Sequence, residues 1–458
     1  MRAYGNTAST SVKWSQKILD DIVVKSTIGR YRIRGFSTFQ NIVHFDDLVF
    51  LTNSVISEGV RQETMARKRG HIITRNRNRP HNGDGVTRTV LGTRFARKPM
   101  ILETPVYITG MSYGALSKSA KTALAKAASI VGTATCTGDG GMLLEERQFS
   151  KTMIYQVNPS RYGVTPQDLM SGDAVEIVVG QGAKPATGGL LMGQKVSEII
   201  AEKRDLPQGI DQRSPTRHPE WLGPDDLGLF IETLREATNW RVPIQIKLPA
   251  CRVMDDVKLA AKAGVDGIVI DGMQAGTGAS SEVVLDHSGI PTLPGIVLAR
   301  EALKDLGLFG KIYLVASGGI RNGVDAAKAI ALGADAVAIG QAAIIALNCN
   351  KEIPGVTDFQ SEMGVKAGYC TKCHTGKCPV GITTQDPVLE RRLHIDNVAL
   401  QVANFIDSMT MEMKVITEAL GRKSIHDLMP DDLAALNLEA SVMSRVPLVG
   451  TNEVFAVP

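Results

Sequence analysis

Between about residues 105 and 340, short apolar or β-branched runs alternate with Ala-rich segments of helical spacing, and Gly-rich turns follow many of the runs. The pattern predicts strands at 106–110 (VYITG), 133–137 (TATCT), 154–157 (IYQV), 175–180 (VEIVVG), 244–249 (IQIKLP), 267–272 (GIVIDG), 312–317 (IYLVAS) and 336–340 (AVAIG). Each is apolar enough to be covered on both faces, as strands of parallel sheets are. After the first run, "SKSAKTALAKAASIV" predicts a helix with Ser117 as N-cap. "VDAAKAIALG" predicts a short helix ending at Gly333. Strand and helix alternating in this way read as a (β/α)₈ TIM barrel over 101–350. Beyond it lie a cysteine-bearing loop, 351–385, and a tail, 386–458, whose "VLERRLHIDNVALQVANFIDSMTMEMKVITEAL" predicts an amphipathic helix covering the barrel or a partner.

Residues 1–100 lack this texture and read as an irregular extension. From Arg61 to Pro99 there are eleven Lys or Arg against two acids, Glu63 and Asp84. Such a stretch is a solvated arm or a docking surface for an acidic partner. It is too poor in aromatics for a base-stacking platform, and a net charge of +4 gives no general case for nucleic acid. No apolar run reaches the roughly 18 residues of a membrane span, and "MRAYGNTASTSVKW" carries no secretory apolar core. Six cysteines in a chain of this kind are expected as reduced thiols, so a cytoplasmic enzyme is the expectation.

A barrel gathers its chemistry where its strands end. The seventh and eighth strands run into Ser317-Gly318-Gly319-Ile320 and Gly340-Gln341-Ala342, the positions where a barrel usually holds a phosphate-bearing cofactor. The sixth runs into "DGMQAGTGASS", with Gly276, Thr277 and Gly278 offering backbone and hydroxyl donors. Lys247 ends the fifth strand, where burial demands an anion or carbonyl oxygens. The loops after the first, second and fourth strands, "GMSYGALS", "CTGDGGM" and "GQGAKPATGG", are unusually polar. They bring Ser112, Gly114, Asp139, Gln181 and Lys184; Lys184 and Gln181 suit a carboxylate, and Asp139 an amine or a proton. His287 follows the sixth strand and reads as a turn residue rather than a base. Cys370, Cys373 and Cys378 in "GYCTKCHTGKCPVG" leave zinc (with His374 as fourth ligand), an iron–sulfur cluster and a redox pair all open.

The series Met111-Ser-Tyr-Gly, Thr137-Gly-Asp-Gly-Gly, Arg161-Tyr-Gly-Val, Gly180-Gln-Gly-Ala-Lys-Pro, Gly276-Thr-Gly-Ala and Ser317-Gly-Gly-Ile resembles the FMN-binding domain of the glutamate synthase large chain over roughly residues 80–400. The resemblance implies an FMN barrel interconverting a 2-oxo or 2-imino acid with glutamate. It implies Lys184 and Gln181 on the substrate carboxylates and Lys247 at the flavin. It further implies Gly318, Gly319, Gly340 and Gln341 at the phosphate. Cys378-Pro-Val-Gly matches the family's ending for a three-iron (3Fe-4S) cluster.

Three features depart from the family. Thr187 and Leu190 stand where glutamate synthases carry an acid and a glutamine. Position 2 is arginine, not the cysteine of an N-terminal glutaminase, and the Gly-repeat β-helix that follows the flavin domain in long chains is not seen. The chain therefore resembles the flavin-domain subunits of N-methylglutamate synthases, which work with glutaminase-like and Gly-repeat β-helix-like partner subunits in a hetero-oligomer. That resemblance implies exchange of ammonia for methylamine on glutamate: hydride leaves Cα for the flavin, methylamine replaces ammonia on 2-iminoglutarate, and the hydride returns. The alternatives are a split-subunit glutamate synthase using 2-oxoglutarate, ammonia and external electrons, a 2-hydroxy-acid oxidase, and a scaffold without turnover.

Overall fold

The computed structural model describes residues 15–52, 86–351 and 363–454. Eight strands form its central sheet: β1 (Val106–Ile108), β2 (Ala134–Cys136), β3 (Thr152–Val157), β4 (Ala174–Val178), β5 (Ile244–Pro249), β6 (Gly267–Asp271), β7 (Tyr313–Ser317) and β8 (Ala336–Ile339). All eight predicted strands are present, within two residues at most ends. Neighbours run β1-β8-β7-β6-β5-β4-β3-β2, and every pairing is parallel. At the remaining seam the Thr133 hydroxyl, just before β2, donates to the Val106 carbonyl of β1 at 2.6 Å. The sheet is thus a nearly closed TIM barrel.

Its interior carries a polar layer that the apolar runs did not announce. Glu176 of β4 accepts from Gln156 of β3 at 2.6 Å and from Gln245 of β5 at 2.5 Å. Tyr313 of β7 donates to the Gln245 carbonyl oxygen at 2.7 Å. Each member is buried and partnered, the condition under which such a layer fixes a unique arrangement. One end of the barrel is closed by an antiparallel pair, Thr89–Leu91 with Met100–Leu102, whose Leu91, Met100 and Leu102 pack with Tyr107, Ile154 and Val315.

Helix α1 (Lys118–Val131) starts at Ser117, whose Oγ accepts the Ala120 N–H at 3.2 Å and donates to the Gly381 carbonyl at 2.7 Å. The predicted N-cap therefore also fastens the end of the cysteine loop. Helix α2 (Gly323–Leu332) stops at Gly333, as expected. In the tail, α3 (Ile395–Ala419) buries Val398, Val402, Ile406, Met409 and Met413 and packs on α1 and α2. Of the two coverings left open, it covers the barrel. No helix among the described residues is long and apolar enough to cross a membrane.

The N-terminal extension is less detached than the sequence suggested. Ile33–Phe36 pairs antiparallel with Thr277–Ser281 beyond β6, and Leu48–Phe50 pairs with Leu433–Ala435 of the tail. Arg34 is buried and forms ion pairs with Glu282 at 2.6 Å and Asp286 at 2.8 Å. Composition hid this because four residues with one arginine do not display a strand's alternation. The most basic part of the arm, residues 61–85, lies outside the described residues.

Candidate active site

A cavity of about 520 Å³ opens at the carboxyl ends of the strands, within the range of small-molecule sites. Seven of the eight strand-end loops and Lys247 of β5 line it, and so do Phe36 of the N-terminal segment and Cys349 and Cys373 of the cysteine region. Lysine 121 holds two of those loops in place from below. Its buried ammonium donates to the carbonyls of Met111 (2.7 Å), Thr137 (2.7 Å) and Cys136 (3.2 Å) and pairs with Glu146 at 2.7 Å. Burial pushes the Glu146 carboxyl up to about 7 against the pull of Lys121.

At one end of the cavity, Ser317, Gly318, Gly319, Gly340 and Gln341 come together as predicted. Gly319 has φ +74°, and a side chain there would sit 2.8 Å from Gln274 Cβ, so the turn requires glycine. A Cβ on Gly276 would lie 2.4 Å from Gln341 Cγ, which is how the sixth and eighth loops approach so closely. The Gln341 side-chain N–H group is buried without a protein partner. A donor orphaned in this way is costly unless a ligand accepts from it. Arg321, held by Asp46 and Asp325 and pushed upward by those bonds, adds positive charge. That arginine also occupies the His44–Asp46–Asp325 cluster that would otherwise resemble a cation site.

Lys247 donates to Thr109 Oγ1 at 3.1 Å and faces Asp271 at 3.5 Å. Burial alone would lower its pKa, but Asp271 and Glu176 more than reverse this, and it stays a cation. Gln156 uses its amide N–H on Glu176, so its carbonyl oxygen is the atom able to accept from a ligand N–H. A donor-lined pocket for an anion, a fixed cation and a fixed acceptor are what a flavin mononucleotide requires, and these residues fit it.

Opposite chemistry gathers beyond β4. A turn in which Lys184 N–H donates to the Gln181 carbonyl at 3.1 Å presents both side chains to the cavity. The Lys184 ammonium donates to Ala279 O at 3.2 Å; burial pulls its pKa down to about 8, and Asp139 opposes the fall. Asp139 is pinned, accepting from Ser160 at 2.7 Å and Ser214 at 3.0 Å. Arg204 reaches the same wall, donating to the Tyr113 carbonyl at 2.7 Å and Gln212 at 3.3 Å. Leu190 lines the cavity, whereas Thr187 turns back on the Lys184 carbonyl at 3.3 Å.

The cysteine loop abuts this cavity. Gly35 N–H donates to Thr371 O at 2.8 Å, and a Cβ on Gly35 would lie 3.0 Å from Cys373 Cβ. Buried Lys195 donates to Ala115 O at 2.7 Å and Cys373 O at 3.1 Å. Burial pushes the Cys373 thiol up to about 12, and Cys378 and Cys370 push in the same direction. Burial also raises Cys349, with Cys373, Cys378 and Cys370 adding to it, and Cys349 borders the same cavity as Cys373.

A profile described as "Conserved region in glutamate synthase" matches residues 56–423. The chain belongs to the glutamate synthase family. It is 47% identical over 445 residues to a glutamate synthase large subunit-like protein of Rhizobium meliloti (strain 1021), covering 96% of each. Against an archaeal-type glutamate synthase [NADPH] of Thermotoga neapolitana it is 41% identical, covering 75% of this chain and 64% of that one. It thus spans just under two thirds of that enzyme's length. Among solved structures, a flavocytochrome b2 variant with pyruvate bound matches with a TM-score of 0.50 at 17% identity, covering 93% of this chain and 86% of that one. At that identity the likeness concerns the barrel fold.

With one exception, the residues expected at the family's cofactor and substrate positions line one cavity. Gly114 does not line it: with φ +106° it shapes the loop after β1, and its carbonyl accepts from Gln385 at 3.1 Å. His287 ends a short helix, Glu282–His287, and is not among the lining residues. Sequence reading missed Phe36, Gln156, Arg204 and Cys349. Phe36 sits in a segment read as irregular, and Cys349 lies twenty-one positions before Cys370 in "LNCN". Arg204 follows the polar loops at too long a range for any motif to single it out.

Proposed function

We propose that the chain is the FMN-binding and iron–sulfur subunit of an N-methylglutamate synthase, exchanging ammonia for methylamine on glutamate. The observation that carries this reading is one cavity with Lys184, Gln181 and Asp139 on one wall and Lys247 beside the flavin-fitting end. FMN, when bound, supplies a reversible hydride acceptor. Lys184 and Gln181 bind the carboxylates of a dicarboxylic amino acid. Asp139, oriented by two hydroxyls, faces the amino group and takes up or returns its proton. Lys247 supplies the fixed cation that favours an anionic reduced ring. Leu190 gives the substrate wall an apolar surface where glutamate synthases carry an amide, and a methyl group on the incoming amine favours such a surface. The ammonia-producing and β-helical functions are assigned to separate partner chains in a hetero-oligomer.

A second reading, synthesis of glutamate from 2-oxoglutarate and ammonia, is favoured by the names of the archaeal-type relatives and by the cysteine group, since electron supply uses such a centre. Purification with the partner chains separates the two. Methylamine-dependent release of ammonia from glutamate without any reductant supports exchange. Turnover of 2-oxoglutarate and ammonia that stops when reductant is withheld supports synthesis and removes the first reading.

A further inference from the structure

We propose that His44 and Asp46, on the N-terminal extension, are positioning residues for the cofactor's phosphate: they aim the backbone donors and the arginine that follow β7. This rests on the FMN-binding part of the proposed function and holds for either amine.

Two peptide groups are held from behind. In a trans peptide the carbonyl and the next residue's N–H point in opposite directions, and no described peptide bond is cis. The Thr292 hydroxyl donates to the Gly318 carbonyl at 2.7 Å, and His44 Nε2 lies 2.8 Å from the Gly319 carbonyl. A carbonyl only accepts, so Nε2 carries the proton and donates. Thr292 and His44 are not among the lining residues of the cavity, whereas Gly318, Gly319 and Ile320 are. With both carbonyls turned away, the N–H groups of Gly319 and Ile320 face the opposite way, toward the cavity. Among the described residues those two N–H groups meet no protein acceptor. Consecutive free N–H groups in a turn with positive φ, here +100° at Gly318 and +74° at Gly319, make a concavity for an anion. His44 fixes one of the two.

Asp46 acts on the charge beside them. Arg321 lines the cavity, and Asp46 accepts from its Nη1 at 2.8 Å and its Nη2 at 2.6 Å, while Asp325 accepts from its Nε at 2.9 Å. A guanidinium forked on carboxylates in this way keeps one orientation. The side chain would otherwise be free to leave, since it is 48% exposed.

Phe45 explains why an extension can do this. It lies between the two residues, is buried in the barrel's main apolar core, and its carbonyl accepts from Lys328 of α2 at 2.9 Å. The His44 N–H donates to Asp47 Oδ2 at 2.9 Å, which closes the turn. One buried aromatic thus delivers a donor on one side and a carboxylate on the other to the same strand-end loop.

The test uses the full chain with its partner subunits, stripped of flavin and titrated with FMN and with riboflavin, which lacks the phosphate. Quenching of flavin fluorescence reads the binding. The parent should bind FMN more tightly than riboflavin. His44→Ala should weaken FMN about 10-fold and leave riboflavin unchanged, and His44→Gln, which keeps a donor N–H, should recover most of the loss. Asp46→Asn should weaken FMN about threefold, again without effect on riboflavin; its position is 68% exposed, so it decides by the same comparison should His44→Ala not fold. Equal weakening of FMN and riboflavin makes the two residues general supports of the fold and overturns the proposal. Unchanged FMN affinity in the variants overturns it too, while leaving the FMN reading in place. A parent that binds FMN no more tightly than riboflavin overturns the phosphate end itself and the FMN reading with it.

Discussion

Lys184 is buried, and its ammonium bonds the Ala279 carbonyl, so its proton is held loosely until an anion arrives. The pKa near 8 in the unliganded protein gives the sign of the pH dependence. Below pH 8 the lysine is charged and binds a carboxylate; above it the charge is lost. The KM for glutamate should therefore rise as pH increases through about 8, and Lys184→Met should abolish that rise while increasing KM about 10- to 100-fold at pH 7. The same substitution should stabilise the unliganded protein. A lysine whose folded pKa lies below its unfolded 10.5 costs stability in full below pH 8, and the cost fades between pH 8 and 10.5. Lys184→Met should thus exceed the parent at pH 7 by up to about 3 kcal/mol, with the difference vanishing toward pH 10.5 in urea titrations. Lys247→Met tests the opposite wall: flavin reduction by glutamate should slow about a hundredfold while glutamate binding changes little.

At the scale of elements, short pieces fasten the site to the barrel. The strand Ile33–Phe36 stays on Thr277–Ser281 through Arg34, whose ion-pair partners Glu282 and Asp286 follow that strand directly. Arg34→Ala leaves buried Asp286 and half-buried Glu282 short of their cation and should cost about 3 kcal/mol. Hydrogen exchange should then speed up in residues 33–36 and 277–281 before it does in the barrel strands. Ser117→Ala removes both a helix cap and the bond to Gly381, and should lower stability by about 1 kcal/mol in urea titrations. The barrel strands were legible because each is an apolar run long enough to stand out between glycines. The N-terminal strand was not, since its register is set by a partner more than 240 positions away. The strand-end glycines and Lys184 could be read from their place after a strand. Arg204 and Cys349 could not, because what makes them part of the site is a fold-back that sequence spacing does not show.

For the whole molecule, the barrel brings three features into one region: a flavin-fitting end, a wall bearing Lys184, Gln181 and Asp139, and Cys349 and Cys373 at the rim. Phe36, from an extension that composition alone would place in solvent, helps line the cavity between them. Helix α3 runs across α1 and α2, so the tail is part of the barrel's cover. A redox-neutral exchange needs no electron path, yet the cysteine group borders the flavin-fitting cavity, and this tension makes the flavin's own response decisive. The most direct measurement is anaerobic stopped-flow absorbance of the FMN-loaded complex mixed with glutamate alone, followed by methylamine. Amine exchange requires bleaching of the oxidised flavin by glutamate without any reductant, then recovery of the band with N-methylglutamate formed when methylamine is added. A flavin that stays fully oxidised at saturating glutamate would contradict it.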